Sequence, residues 1–381
     1  MRPGEPSFFL QRNVRRDAPP DARAPLAFHR RLPGYAPTPL MDAPDLARSL
    51  GLGQLLIKDE SHRLGLPAFK ILGASWAIYR ALEKRLGRSL DASRTLEELR
   101  QQIAPLRPLA LTTATDGNHG RAVAHVASLF GFAARIFVPA GTAQARIEGI
   151  AGEGAEVEVV AGTYDDAVAR AAGEAGERCL VISDTSWPGY EEIPRWVAEG
   201  YSTIFHEIDD ELARRGEESP DLIAIQFGVG ALAAAVVRHY LASRPNESTK
   251  ILSVEPLRAA CGLASMVAGE IVTVPGPHDS IMAGLNCGRP SLVAWPIVSC
   301  GTNAFLAIGD ERARAAMRAL ARLGIVAGET GAAGLAGLLE LLTETDFAEH
   351  RRALAIDDWT RALVIVTEGA TDPESYRRIV E

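Results

Sequence analysis

Nowhere in its 381 residues does the chain approach the ~18 uninterrupted apolar residues of a membrane-spanning helix. Its opening segment, MRPGEPSFFLQRN, lacks the apolar core of a secretion signal, so a cytoplasmic protein is expected. Cysteine is scarce: Cys179, Cys261, Cys287 and Cys300 are the only four, without C-x-x-C spacing. That argues against a zinc site and for reduced, mostly buried thiols. No metal motif is seen elsewhere, and no metal is expected. No basic block occurs, arginines are dispersed, and the net charge is -8, which argues against nucleic acid as a partner. No internal repeat is evident. The sequon Asn246-Glu247-Ser248 would matter only in a secreted protein and is taken as chance.

What is present is an ordinary globular composition, 47% hydrophobic and 23% charged. The chain is long enough for two domains. Apolar runs at LLIKD (55–59), LALTT (109–113), RIFVP (135–139), VEVV (157–160), LVISD (180–184), LIAIQF (222–227), ILSVE (251–255) and LVIVT (363–367) read as buried strands. Helical patterns lie between them, as at 120–131, 165–176 and 311–324. Residues 84–107 read as a helix and a surface connection. Strands alternating with helices predict an α/β fold with largely parallel sheets. A small α/β domain is expected over 76–195, inserted between 1–75 and 196–381, which form a larger one. A cleft between two such domains is a favoured place for a cofactor.

Four segments carry chemistry. Lys70 follows a turn-like stretch with Gly65 and Pro67 and opens a helix. Apolar surroundings and the positive helix end both disfavour an ammonium, so a lowered pKa and a nucleophilic amine are expected. Thr115-Asp116-Gly117-Asn118-His119-Gly120 is a polar turn after a strand, where α/β folds place ligands. Asn118 could bond a ring oxygen and Asp116 could act as acid or base, although such residues also favour plain N-caps. Gly228-Val229-Gly230-Ala231-Leu232 offers backbone N–H groups at a helix start, the usual setting for phosphate. Thr367, at a strand end before Glu368-Gly369, could bond a neutral heteroaromatic nitrogen.

This order of lysine, asparagine turn, glycine loop and hydroxyl resembles the fold type II pyridoxal-phosphate (PLP) family of tryptophan synthase β chains, threonine and serine dehydratases and cysteine synthases. Within that family the chain is similar to the diaminopropionate ammonia-lyases. The likeness runs through PGYAPTPL (33–40), KDES-x-R-x-GL-x-AFK (58–70) and ATDGNHGRAVA (114–124). DTSWPGYEEIPRWVAEGY (184–201), IMAGLNCG (281–288) and TEGATDP (367–373) continue it. The resemblance implies PLP as a Schiff base on Lys70, next to Phe69, with Asn118 at its phenolic oxygen. Gly228, Val229, Gly230, Ala231 and Leu232 would take the phosphate, and Thr367 would face the pyridine nitrogen. It further implies elimination of 2,3-diaminopropionate to pyruvate and two ammonia, with Lys70 and Asp116 as bases on opposite faces and Asp184 on the second ammonium. A homodimer paired through the large domain is implied too. Cys261 and Cys287 would lie close together, either as reduced thiols or as a bridge.

Two competing readings remain open at this stage. A serine or threonine dehydratase shares the superfamily, but a diamine rewards Asp116 and Asp184 and a hydroxy amino acid does not. An NAD-dependent dehydrogenase would use Gly228, Gly230, Ala233 and Glu255 as a G-x-G-x-x-A fingerprint with its acidic residue. That reading leaves Lys70 and Asn118 without a role.

Overall fold

The structure, a computed structural model, describes residues 7–11, 13–15, 22–90, 95–242 and 249–381. The triplet Asn246-Glu247-Ser248 lies outside them. The described strands, in chain order, are β1 (Ser7–Leu10), β2 (Leu40–Asp42), β3 (Gln54–Asp59), β4 (Ala110–Ala114), β5 (Ala133–Pro139), β6 (Glu156–Val160), β7 (Cys179–Val181), β8 (Leu222–Gln226), β9 (Lys250–Pro256), β10 (Ala304–Ile308) and β11 (Arg361–Val366). All eight expected strands are present. β1, β2 and β10 were not read from the sequence: β1 and β2 are four and three residues long.

The chain divides into two compact units. The first comprises the chain up to Ala22, Pro37–His62 and Ile204–Glu381; the second comprises Arg23–Ala36 and Arg63–Thr203. In this division Lys70 falls in the second unit, together with the Asn118 turn.

The first unit holds a seven-stranded sheet ordered β1-β10-β9-β8-β11-β3-β2. Its five inner strands are parallel, and only the edge strands β1 and β2 run antiparallel. Parallel strands are covered on both faces, which explains their unbroken apolar runs. Leu55, Ile57, Ala224, Leu252, Val254, Leu306, Ala362 and Val364 belong to one buried core with Leu335 and Leu338 of the helix Ala333–Thr343. The second unit holds a parallel sheet ordered β6-β5-β4-β7. Among the described residues no helix is long and apolar enough to cross a membrane.

Both sheets reverse their strand order at one place. In the second unit the chain steps from β4 to β5 to β6 and then returns to β7 on the other side of β4. In the first it steps from β8 to β9 to β10 and returns to β11 on the other side of β8. Adjacent loops diverge at such reversals, and α/β sheets bind ligands at the strand ends there. The loops so placed are Thr115–Gly120 after β4, Ser183-Asp184 after β7, Gly228–Leu232 after β8 and Thr367 after β11.

Candidate active site

In the second unit, Lys70 is the first residue of the helix Lys70–Leu86, whose N-cap is Phe69. Its ammonium donates to Asp184 Oδ2 at 2.7 Å and lies 5.6 Å above the Phe69 ring. The helix is buried almost all round and crosses the helix Glu192–Gly200 closely. A Cβ on Gly73 would sit 2.5 Å from the Tyr201 ring, and one on Gly200 2.4 Å from the Leu72 carbonyl. Glycine at this crossing lets Tyr201 reach the base of Lys70.

β7 stops at Val181, shorter than the LVISD run, because the chain turns to aim Asp184 inward. Tyr190 braces that turn: its hydroxyl accepts from Ser183 N at 2.9 Å and donates to the Val181 carbonyl at 2.8 Å. Across the sheet, the Thr115 hydroxyl accepts from the Gly117 and Gly120 amides and shapes the Asp116–Asn118 turn. A Cβ on Gly120 would fall 2.2 Å from the Thr115 methyl, so that position requires glycine. Asn118 opens the helix Asn118–Phe130. His119 Nε2 bonds the Ile182 carbonyl at 2.8 Å, and its Nδ1, buried without a hydrogen-bond partner, lies 3.9 Å from Asp184.

The electrostatics correct one expectation. Burial pushes Lys70 down, as the sequence predicts, but Asp184, Tyr201 and Asp116 together outweigh it and favour the ammonium. Asp184 responds in kind. Burial would raise it, yet the charges of Lys70 and His119 and the hydrogen bond from Lys70 hold it at about 2. Asp116 behaves differently: burial raises it, and Arg146 and Lys70 offset that only in part. Burial also lowers His119. One buried and one half-buried carboxyl are thus driven in opposite directions, the pattern by which environments assign proton-transfer roles.

In the first unit, Gly230 has φ +96° and caps the helix Ala231–Val237, leaving the loop's amides at the helix start. Phe227 is fully buried against Phe305, with ring centroids 5.8 Å apart. Its ring fills the space where Cβ atoms at Gly230 and Gly262 would lie, 2.8 Å away in each case. Thr367 is buried, and its hydroxyl accepts from Gln226 Nε2 at 3.3 Å. Cys261 and Cys287 carry reduced thiols. Both flank Gly228: Cys261 Sγ is 3.6 Å from its carbonyl, and Cys287 Sγ would be 3.3 Å from a Cβ built there.

The dinucleotide reading fails at Glu255. Its carboxyl is wholly buried and accepts from the Gly262 and Leu263 amides at 2.7 and 2.8 Å, so it does not face a ribose. Tyr201, Tyr190 and Gln226 were missed in the sequence. Gln226 had a visible signal, a lone amide closing an apolar strand. It also bonds the Thr330, Gly331 and Ile365 carbonyls at 3.2, 3.0 and 2.8 Å, tying the end of β11 to the end of β8.

The second unit offers a buried primary amine and an amide side chain, and the first offers a glycine loop at a helix start and a buried hydroxyl, the kinds of group a phosphorylated pyridine aldehyde would need. The chain matches the family model "Pyridoxal-phosphate dependent enzyme" over residues 31–358. A diaminopropionate ammonia-lyase of Salmonella typhimurium is 38% identical over 368 residues, covering 93% of this chain and 90% of that protein. A crystal structure of the Escherichia coli diaminopropionate ammonia-lyase in complex with D-serine has a TM-score of 0.91 at 33% identity, covering 99% of this chain and 97% of the other. A biosynthetic L-threonine dehydratase of Mycobacterium bovis is more distant, 27% identical over 70% of this chain and 57% of its own length.

Proposed function

Because this chain belongs to the diaminopropionate ammonia-lyases, a branch of the PLP-dependent enzymes, we propose that it is a carbon–nitrogen lyase converting 2,3-diaminopropionate and water to pyruvate and two ammonia. The observation that carries this reading is the Lys70–Asp184 contact at 2.7 Å, an amine at a helix start set against a buried carboxylate beyond the end of β7.

When bound on Lys70, PLP supplies the electron sink for the pair left at Cα. Asp184, anionic at neutral pH, takes the substrate's β-ammonium. The contact it makes with Lys70 at 2.7 Å is already an ammonium–carboxylate pair. Lys70 becomes a free amine once the substrate's α-amine has taken its place on the cofactor, and with the β-ammonium on Asp184 it lacks the strongest charge that would sustain a proton on it. Burial then drives Lys70 towards the neutral amine. In that form Lys70 Nζ takes the Cα proton of the L isomer, and Asp116 takes it from the opposite face in the D isomer. Departure of the β-amine releases the first ammonia, and hydrolysis of the remaining three-carbon unit releases the second.

Residues of the first unit would hold the phosphate and face the ring nitrogen. Gly228 to Leu232 would offer backbone N–H groups to the phosphate, and Asn118 would be the amide partner for the phenolic oxygen. Gln226 donates to Thr367 Oγ1, so the Thr367 proton would be available to an unprotonated ring nitrogen. A neutral nitrogen favours loss of a β substituent over transamination. Phe69 walls the lysine. We read the enzyme as a cytoplasmic homodimer. Borohydride reduction followed by peptide mapping tests the assignment. It should fix the cofactor on Lys70 and bleach the visible band. Cofactor recovered on another lysine overturns it.

A further inference from the structure

Away from the Lys70–Asp184 pair, the first unit holds a second constellation with the chemistry of a metal site. His206 and Asp209 stand three residues apart on the helix Ser202–Arg215 and so share a face. His239 comes from the π-helical turn Arg238–Ala242, which continues the helix Ala231–Val237. One ligand atom from each of the three residues lies within 4.8 Å of the other two. His239 Nε2 is 2.9 Å from Asp209 Oδ2, and the two imidazole rings meet edge to face at 4.9 Å. His206 and His239 are buried, at 7% and 2% exposure, whereas the Asp209 side chain keeps 16% and opens the cluster to water.

Two imidazoles and one carboxylate form a borderline-soft donor set that suits first-row divalent ions and zinc in particular. Tetrahedral zinc with bonds of about 2.0–2.1 Å needs donors about 3.3 Å apart. Two of these three already stand closer than that, and side-chain rotation closes the remainder. A π turn is rare, costs helical hydrogen-bond geometry, and is found mostly at functional sites. Here it delivers His239 to the face presented by His206 and Asp209. The sequence spacing hid the set, because the third donor lies 30 positions beyond the second.

We propose that His206, Asp209 and His239 bind one divalent transition ion, zinc by preference, with water as the fourth ligand. The ion would staple the helix Ser202–Arg215 to the far end of the helix that opens at Gly230. The inference stands on these three residues and is independent of the lyase reading.

Holoenzyme dialysed against chelator and titrated with zinc sulfate in a calorimeter should bind one ion per chain with submicromolar affinity. X-ray absorption at the zinc edge should show only nitrogen and oxygen neighbours, including imidazole scattering. His239→Gln and Asp209→Asn should each weaken binding by more than the about 10–100-fold that loss of a mere supporting partner costs. Zinc should raise the unfolding temperature of the parent protein and leave that of the variants unchanged. Absence of binding, a sulfur shell at about 2.3 Å, or variants that bind as tightly as the parent would each overturn the site. The absorption spectrum of the parent protein decides the matter even if both variants misfold.

Discussion

Asp184 is buried and Asp116 half-buried, and their environments shift them in opposite directions. Asp184 is held at about 2 and so suits the proposed role of holding positive charge. Asp116 is pushed up by burial and can exchange a proton. Asp116→Asn should therefore reduce turnover of D-diaminopropionate by the ~10²–10⁴-fold typical of a lost general base and spare the L isomer. Equal losses on both isomers would refute the division. Asp184→Asn removes the partner of the β-ammonium. It should raise KM for diaminopropionate much more than for serine, which lacks that ammonium; a parallel rise would place Asp184 elsewhere in the mechanism. Composition held an additional pointer to Lys70. The chain has only four lysines. Of the others, Lys58 is buried in an ion pair with Glu207, and Lys84 pairs with Glu192 on the surface. The protonation of Lys70 was not legible, because it depends on Asp184, 114 positions away. Local sequence shows the burial that lowers a lysine and hides the carboxylate that raises it.

Elements set these groups in place. Gly73 admits the Tyr201 ring beside the Lys70 helix. Gly73→Ala should overpack the crossing and lower stability by about 1–3 kcal/mol, read from a urea midpoint, with turnover falling as Tyr201 shifts. An unchanged midpoint would mean that the crossing has slack. At the end of β9, burial holds Glu255 up to about 8 against an ordinary value of 4.5, even with two amides favouring its charge. A carboxyl raised in the fold contributes stability that is complete below its unfolded value and is lost as pH rises through its folded value. The urea midpoint of the parent should decline between pH 4.5 and about 8 relative to Glu255→Gln, and parallel profiles would contradict this. The buried parallel strands were legible because their apolar runs are continuous. β1 and β2 were not, because three or four residues at a sheet edge carry too short a pattern. Glu255 shows the same limit for sites. Its spacing from the glycine loop fits a ribose ligand, and only the fold turns it inward to the Gly262 and Leu263 amides.

At the scale of the whole molecule, each unit is built on a sheet whose inner strands are parallel and whose strand order reverses once. Lys70, Asn118, Asp116 and Asp184 belong to one unit; the glycine loop Gly228–Leu232 and Thr367 belong to the other. Light scattering should report twice the 40.7 kDa of the chain, since cyclic dimers are the commonest oligomer and relatives of this fold are expected to pair through the larger unit. A species of chain mass alone would contradict the dimer. Elimination of diaminopropionate has a signature that no dehydratase reaction shares: two nitrogens leave for each three-carbon acid formed. The most direct measurement is a side-by-side assay of D- and L-diaminopropionate, serine and threonine on the purified holoenzyme, with ammonia and keto acid counted in the same vessel. The account predicts rapid turnover of diaminopropionate with two ammonia per pyruvate and slow turnover of the hydroxy amino acids. Preferred turnover of serine or threonine, with one ammonia per keto acid, would contradict it.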